Sequence, residues 1–142
     1  PRRAGWRHMV VTGDLVAHVV DIVDNHGIKT LMTDVSFTAH MPDTLEMPYR
    51  PVISGTVEAV TPYRFRIGGT SCLSGDFMYE YNFEEEVSIG DTLVFQDMIH
   101  YTIVKTTMFN GVHHPDIYLF TKDGKLILQR RFEYEDYRNR MN

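Results

Sequence analysis

Cys72 is the only cysteine in the 142 residues, so an internal disulfide and a cysteine-built zinc cluster are both excluded. What remains for it is the part of a buried core thiol or a reactive one. Lysine is nearly as scarce: Lys29, Lys105, Lys122 and Lys125 are the full set, and none sits in an apolar setting that would depress its pKa for Schiff-base chemistry. No excess of positive charge is present. The net charge of -5 and a pI near 5.8 argue against a phosphate-backbone partner, since nucleic-acid binders usually show a basic face, so nucleic acid is not an expected ligand. No apolar run approaches the roughly 20 residues needed to cross a bilayer, and no signal-type apolar core follows Arg2 and Arg3. These absences give the expectation of a cytoplasmic protein in a reducing compartment, with no membrane partner. Long helical periods are also missing.

What is present is a succession of short β-branched and aromatic runs broken by turn residues. Leu15 to Val23 and Ile28 to Val35 flank Asp24-Asn25-His26-Gly27 and predict a β-hairpin. Ser36 to Pro51 holds three prolines within ten residues, which no regular element tolerates in its interior, and predicts an ordered loop or crossover. Val52 to Val60, Tyr63 to Ile67, Phe77 to Phe83 and Thr92 to Phe95 read as strands, the last two as a pair, with Glu84-Glu85-Glu86 a solvated acidic rim. Tyr101 to Met108 also reads as a strand, and Asn110-Gly111 as a tight turn. Ile117 to Phe120 and Leu126 to Leu128 around Asp123-Gly124 make the clearest hairpin, and the tail from Arg131 to Met141 fits a short helix or an edge strand. About ten short strands and no repeat predict one all-β barrel or sandwich domain.

Two stretches carry candidate chemistry. Gly68-Gly69-Thr70-Ser71-Cys72-Leu73-Ser74-Gly75-Asp76 is a glycine-rich turn that can bring the Cys72 backbone close to a ligand. Cys72 reads as a proton donor or nucleophile, with a buried, inert thiol at about even odds. Asp76 either binds a cationic substrate or caps the turn, and spacing favours the turn. In Gln96-Asp97-Met98-Ile99-His100-Tyr101-Thr102, strand alternation would send His100 and Tyr101 to opposite faces. Tyr101 has a hydroxyl suited to a phosphate oxygen, although core tyrosines outnumber ligand tyrosines by roughly two to one. His113-His114 lacks the neighbouring carboxylates of a metal site and reads as loop; no metal is expected.

These residues resemble the C-terminal part of the carboxynorspermidine decarboxylases, pyridoxal-phosphate (PLP) enzymes of the family that includes ornithine and diaminopimelate decarboxylases. The resemblance rests on His40-Met41-Pro42-Asp43-Thr44-Leu45-Glu46-Met47-Pro48-Tyr49-Arg50-Pro51, on the Gly68 to Asp76 turn, and on Phe95 to Gly111. It implies that residues 15–142 are the C-terminal β-barrel domain, that residues 1–14 are a truncated or divergent lead-in, and that an N-terminal (β/α)8 barrel carrying the PLP lysine is lacking. It implies further that Cys72 protonates the carbanionic carbon left by carbon dioxide, reaching across a homodimer. Asp43, Asp76 and Arg50 are implied as contacts to the amino and carboxylate groups of a carboxylated polyamine, and Tyr101 as a contact to the PLP phosphate. The expected activity is decarboxylation of carboxynorspermidine or carboxyspermidine in polyamine biosynthesis. It would need a PLP-binding barrel from this or another chain, since no lysine here is placed to hold the cofactor. His100 receives no role. Two departures stand out: Gly69-Thr70 replaces the family's Gly-Gly-Pro, and Pro1-Arg2-Arg3-Ala4 replaces its Glu-Pro-Gly-Glu. A non-catalytic β-domain, whether a binding module or a decayed remnant with exposed apolar patches, is the rival reading.

Overall fold

The computed structural model describes residues 13–141. Expectations about Pro1 to Thr12, which make up most of the lead-in segment, lie outside the described residues.

The first hairpin forms as the turn residues dictate. Strand β1 (Leu15–Asn25) pairs antiparallel with β2 (Ile28–Thr33), with His26 and Gly27 both at positive φ in the turn. The proline-rich crossover follows and is ordered by two single-turn helices, α1 (Phe37–His40) and α2 (Asp43–Glu46). Ser36 caps α1 by accepting the Ala39 amide at 3.0 Å, and Pro42 stands at the α2 cap, where a missing N–H costs nothing.

The crossover exists because its two flanking strands run parallel, which a tight turn cannot achieve. Strand β3 (Thr56–Val57) lies within it, and β4 (Arg64–Gly68) then pairs parallel with β2. Strand β5 (Phe77–Phe83) pairs antiparallel with β4 and β3, and β6 (Thr92–Phe95) pairs antiparallel with β1. The resulting order is β3-β5-β4-β2-β1-β6. Phe77–Phe83 and Thr92–Phe95 therefore do not pair with each other. Proximity in sequence suggested that pairing, but the free edge of β1 takes β6 instead.

The sheet curls until its ends meet. Ile53 bridges Phe95 of β6, the Ser54 amide donates to the Val94 carbonyl at 3.0 Å, and two residues later Thr56 pairs with Phe83 of β5. Gly55 makes the turn between those contacts at φ 80°, a conformation a side chain rarely adopts. One short clasp thus joins both ends, and the long strand expected over Val52 to Val60 is replaced by this clasp, since pairing two different partners requires a bend. Inside lie Ala17, Val19, Leu31, Phe65, Ile67, Tyr81, Phe83, Leu93 and Phe95, with Phe37 of α1 meeting Phe95 edge to face at 6.0 Å. A bulge sets Phe65 opposite Tyr81 and Ile67 opposite Met78, so Met78 and Tyr81, three apart, both face inward.

Tyr101–Lys105 is helix α3, not a strand. Its β-branched residues favour extended chain, but the segment packs on α1 and α2, and the Thr102 hydroxyl is buried there on a carboxylate. Beyond a short 3-10 turn (Phe109–Gly111), β7 (Ile117–Phe120) and β8 (Leu126–Arg130) form the hairpin expected from Asp-Gly. Helix α4 (Tyr134–Arg140), with a capping box between Glu133 and Asp136, settles the tail as helix. The fold is all-β, as expected from sequence, with eight strands among the described residues.

Candidate functional site

Two clusters form. The first is a cleft of about 530 Å³ lined by Asp43, Tyr49, Arg50, Asp97, His100 and Tyr101, among others. Asp43 is 1% exposed; its Oδ2 accepts the Tyr49 hydroxyl at 2.5 Å and the Thr102 hydroxyl at 2.9 Å, whereas Oδ1 has no hydrogen-bond partner among the described residues. Burial, followed by the bond to Asp43, pushes the Tyr49 hydroxyl up to about 12, so it remains a proton donor at any ordinary pH. Arg50 stacks over the Tyr81 ring at 4.2 Å, a contact that leaves a planar guanidinium capable of pairing a carboxylate.

Tyr101 is 64% exposed and begins α3, with His100 as the cap residue before it. Both line the cleft. The strand-based expectation of opposite faces is thus corrected, because at the start of a helix neighbouring residues can share one side. His100 Nε2 lies 3.5 Å from Asp97 Oδ1, and Asp97 sits at φ 58°.

The second cluster is the Cys72 turn. Cys72 is exposed, and the Asn110 side-chain amide donates to its Sγ at 3.0 Å. Asp76 is buried and takes one amide on each oxygen: Thr38 on Oδ1 at 3.0 Å and Ser71 on Oδ2 at 2.9 Å. A Cβ at Gly69 would overlap that carboxylate, so glycine is required there by close approach.

The clusters share supports. Thr38 of α1 bonds Ser71 of the turn, and α2 starts at Asp43 of the cleft. The span from Tyr101 to Asn110 runs from cleft to thiol and is pinned midway, where the Thr106 hydroxyl donates to the His40 carbonyl and the Thr107 amide to the Ala39 carbonyl. His40 is 1% exposed and its Nδ1 accepts the Ser36 amide. Burial, aided by nearby His114, holds its pKa down to about 4, partly offset by the His113 backbone. His40 is therefore neutral and part of the frame.

The structure brings Asp43, Arg50 and Tyr101 together and leaves Cys72 and Asp76 on the neighbouring turn. Tyr49, Thr102, Asp97 and Asn110 were missed from sequence, and only the Asn-Gly dipeptide offered a signal, as a turn. His114 stacks on Phe132 at 3.8 Å, and among the described residues no group of His, Cys, Asp and Glu is arranged for a metal.

Tyr101 offers an exposed hydroxyl beside a cleft, but no lysine lines it, and Lys105 is ion-paired to Glu46. No described helix is long and apolar enough to cross a membrane.

Comparison with known proteins gives the family. Residues 11–99 match the family described as pyridoxal-dependent decarboxylase, C-terminal sheet domain. The chain is 52% identical to carboxyaminopropylagmatine decarboxylase of Synechocystis sp., over 92% of its own length and 34% of that protein. It is 41% identical to carboxynorspermidine/carboxyspermidine decarboxylase of Campylobacter jejuni, over 94% of its length and 37% of the relative. The crystal structure of carboxynorspermidine decarboxylase from Campylobacter jejuni, complexed with norspermidine, superposes with a TM-score of 0.85 at 40% identity, covering 92% of this chain and 38% of that one. The chain spans about a third of the length of the curated relatives it matches. A curled sheet sealed by one clasp, with a cysteine turn at its side, is thus the C-terminal sheet domain of the pyridoxal-dependent decarboxylases, and this chain belongs to that family.

Proposed function

We propose that this chain is the C-terminal part of a decarboxylase acting on a carboxylated polyamine. The observation that carries this reading is the 41–52% identity to two decarboxylases of such compounds across nearly the whole chain, both residue clusters included. Carboxynorspermidine and carboxyspermidine are the first candidate substrates. The 52% identity to the Synechocystis protein adds carboxyaminopropylagmatine, whose name denotes an agmatine-derived substrate.

PLP, bound chiefly by a (β/α)8 barrel on this or another chain, would supply an electron sink for the electrons left by carbon dioxide. The residues of this chain then have separable tasks. The Tyr101 hydroxyl donates to a phosphate oxygen. Arg50 pairs a substrate carboxylate, and the Asp43 carboxylate places negative charge beside the cationic amines. Asp76 adds a second buried carboxylate and holds the turn that carries the thiol. Cys72 delivers the proton from Sγ to the substrate carbon, and its exposure fits a group that meets the substrate in a neighbouring subunit's barrel. A homodimer is the assembly this reading calls for. The exposed apolar residues of the β7–β8 hairpin support it, since such surface is normally covered.

The test joins or mixes this chain with a PLP-binding barrel subunit and compares the three substrates. Cys72→Ala should keep cofactor binding and lower turnover by about 10²- to 10⁴-fold. Normal turnover with the correct product would remove Cys72 from the mechanism, and no decarboxylation of any of the three substrates would remove the function.

A further inference from the structure

We propose that Asn110 is a positioning residue for Cys72, orienting the thiol and stabilising the sulfur as its proton leaves. The inference rests on the reading of Cys72 as proton donor, but it arises from a separate contact. Asn110 Nδ2 lies 3.0 Å from Cys72 Sγ, joining residues 38 positions apart. Two loops converge there, both tied to α1. The Cys72 turn is fixed from beneath by Asp76 on the amides of Thr38 and Ser71. The Asn110 loop is fixed by the Thr107 amide on Ala39 and by the Gly111 amide on the Met108 carbonyl at 2.9 Å. Asn110 itself sits at φ 57°, ψ 21°, the left-handed region that asparagine tolerates better than other side chains, with Gly111 also at positive φ. From that backbone conformation the side-chain amide meets the sulfur.

The chemistry follows from the polarity of that bond. An amide N–H directed at sulfur leaves the S–H hydrogen free to point elsewhere. When the S–H bond breaks and the C–H bond forms on the substrate, the electron pair stays on Sγ, and the N–H stabilises the new thiolate. Solvent restores the proton to Sγ once the product has left.

The test uses the chain itself. The rate of Cys72 alkylation by iodoacetamide is measured against pH for the parent, Asn110→Gly and Asn110→Asp, with melting temperatures recorded alongside. Glycine keeps the positive φ and removes the donor; aspartate keeps the shape and reverses the polarity. The midpoint of the profile should rise by about half a unit for Asn110→Gly and by about one unit for Asn110→Asp. A change in access alone would alter the plateau and leave the midpoint. A Gly variant whose midpoint coincides with the parent's overturns the proposal, whether or not the Asp variant folds. In the assembled enzyme, Asn110→Gly should lower kcat about tenfold with little change in KM. If the midpoint moves while Cys72→Ala turns over normally, the Asn110–thiol contact stands and the proton-donor reading falls.

Discussion

The curled sheet and the β7–β8 hairpin are built from the same kinds of residue and meet opposite fates. In the sheet, Leu31, Ile67 and Phe95 are wholly buried. In the hairpin, Leu119, Phe120, Leu126, Ile127 and Leu128 are all exposed, Phe120 at 70%, and the two strands pair only with each other. A two-stranded ribbon gains little stability alone, and residues 13–141 leave its apolar side chains uncovered. Alternation and turn residues specify a strand, whereas burial depends on what the strand meets.

The sharpest way to break the comparison is to truncate one aromatic residue on each side. Phe95→Ala should destabilise the chain by about 3–5 kcal/mol in urea unfolding, because it opens a cavity beside Phe37 and Ile53. Phe120→Ala should cost no more than about 0.5 kcal/mol. Equal losses would mean that the hairpin is buried in solution.

The frame that carries the site should respond to acid through His40. The folded-state pKa of His40 lies near 4, below its ordinary value of 6.5, so the unfolded chain takes up the proton first. The His40 contribution is fully present above pH 6.5 and is lost as pH falls towards 4, amounting to about 3 kcal/mol. The difference in unfolding free energy between the parent and His40→Gln, followed across that range, should shrink by this amount. A constant difference would contradict the buried neutral histidine.

A local perturbation comes next in size. Asp76→Asn keeps the volume but weakens the bonds to Thr38 and Ser71, for a loss of about 1–3 kcal/mol. Hydrogen exchange at those two amides should accelerate, with the amides of β7 and β8 unaffected. The smallest change in stability, within about 0.5 kcal/mol, is expected for the double substitution Leu119→Ser and Phe120→Ser. Its effect should appear instead in sedimentation, as reduced self-association relative to the parent chain. A parent that stays monomeric over a wide concentration range would show that the hairpin faces do not hold copies together.

Much of this was legible beforehand for local reasons. Asp24-Asn25-His26-Gly27 and Asp123-Gly124 specify their turns through backbone preference, and both hairpins formed where those residues stand. The prolines from Pro42 to Pro51 excluded any long regular element, and a crossover with single-turn helices resulted. What could not be read depended on distant partners. Tyr101 to Lys105 has strand-like residues, yet Thr102 finds Asp43, 59 positions away, and the chain winds to reach it. That same turn of helix set His100 beside Tyr101. The partnership of Asn110 with Cys72 likewise needed the fold, since Asn-Gly by itself signals only a bend.

The span from Tyr101 to Asn110 also has a consequence for how the chain tolerates changes in length. One end stands at the cleft, the other at the thiol, and Thr106 and Thr107 fasten its middle to α1. It therefore works as a ruler of fixed length between two chemical groups. A residue inserted between Thr107 and Asn110 would shift the amide off the sulfur without disturbing the sheet. The same insertion at Lys122 to Gly124 would only enlarge an exposed turn, so relatives with similar chemistry should vary in length there and keep the ruler intact.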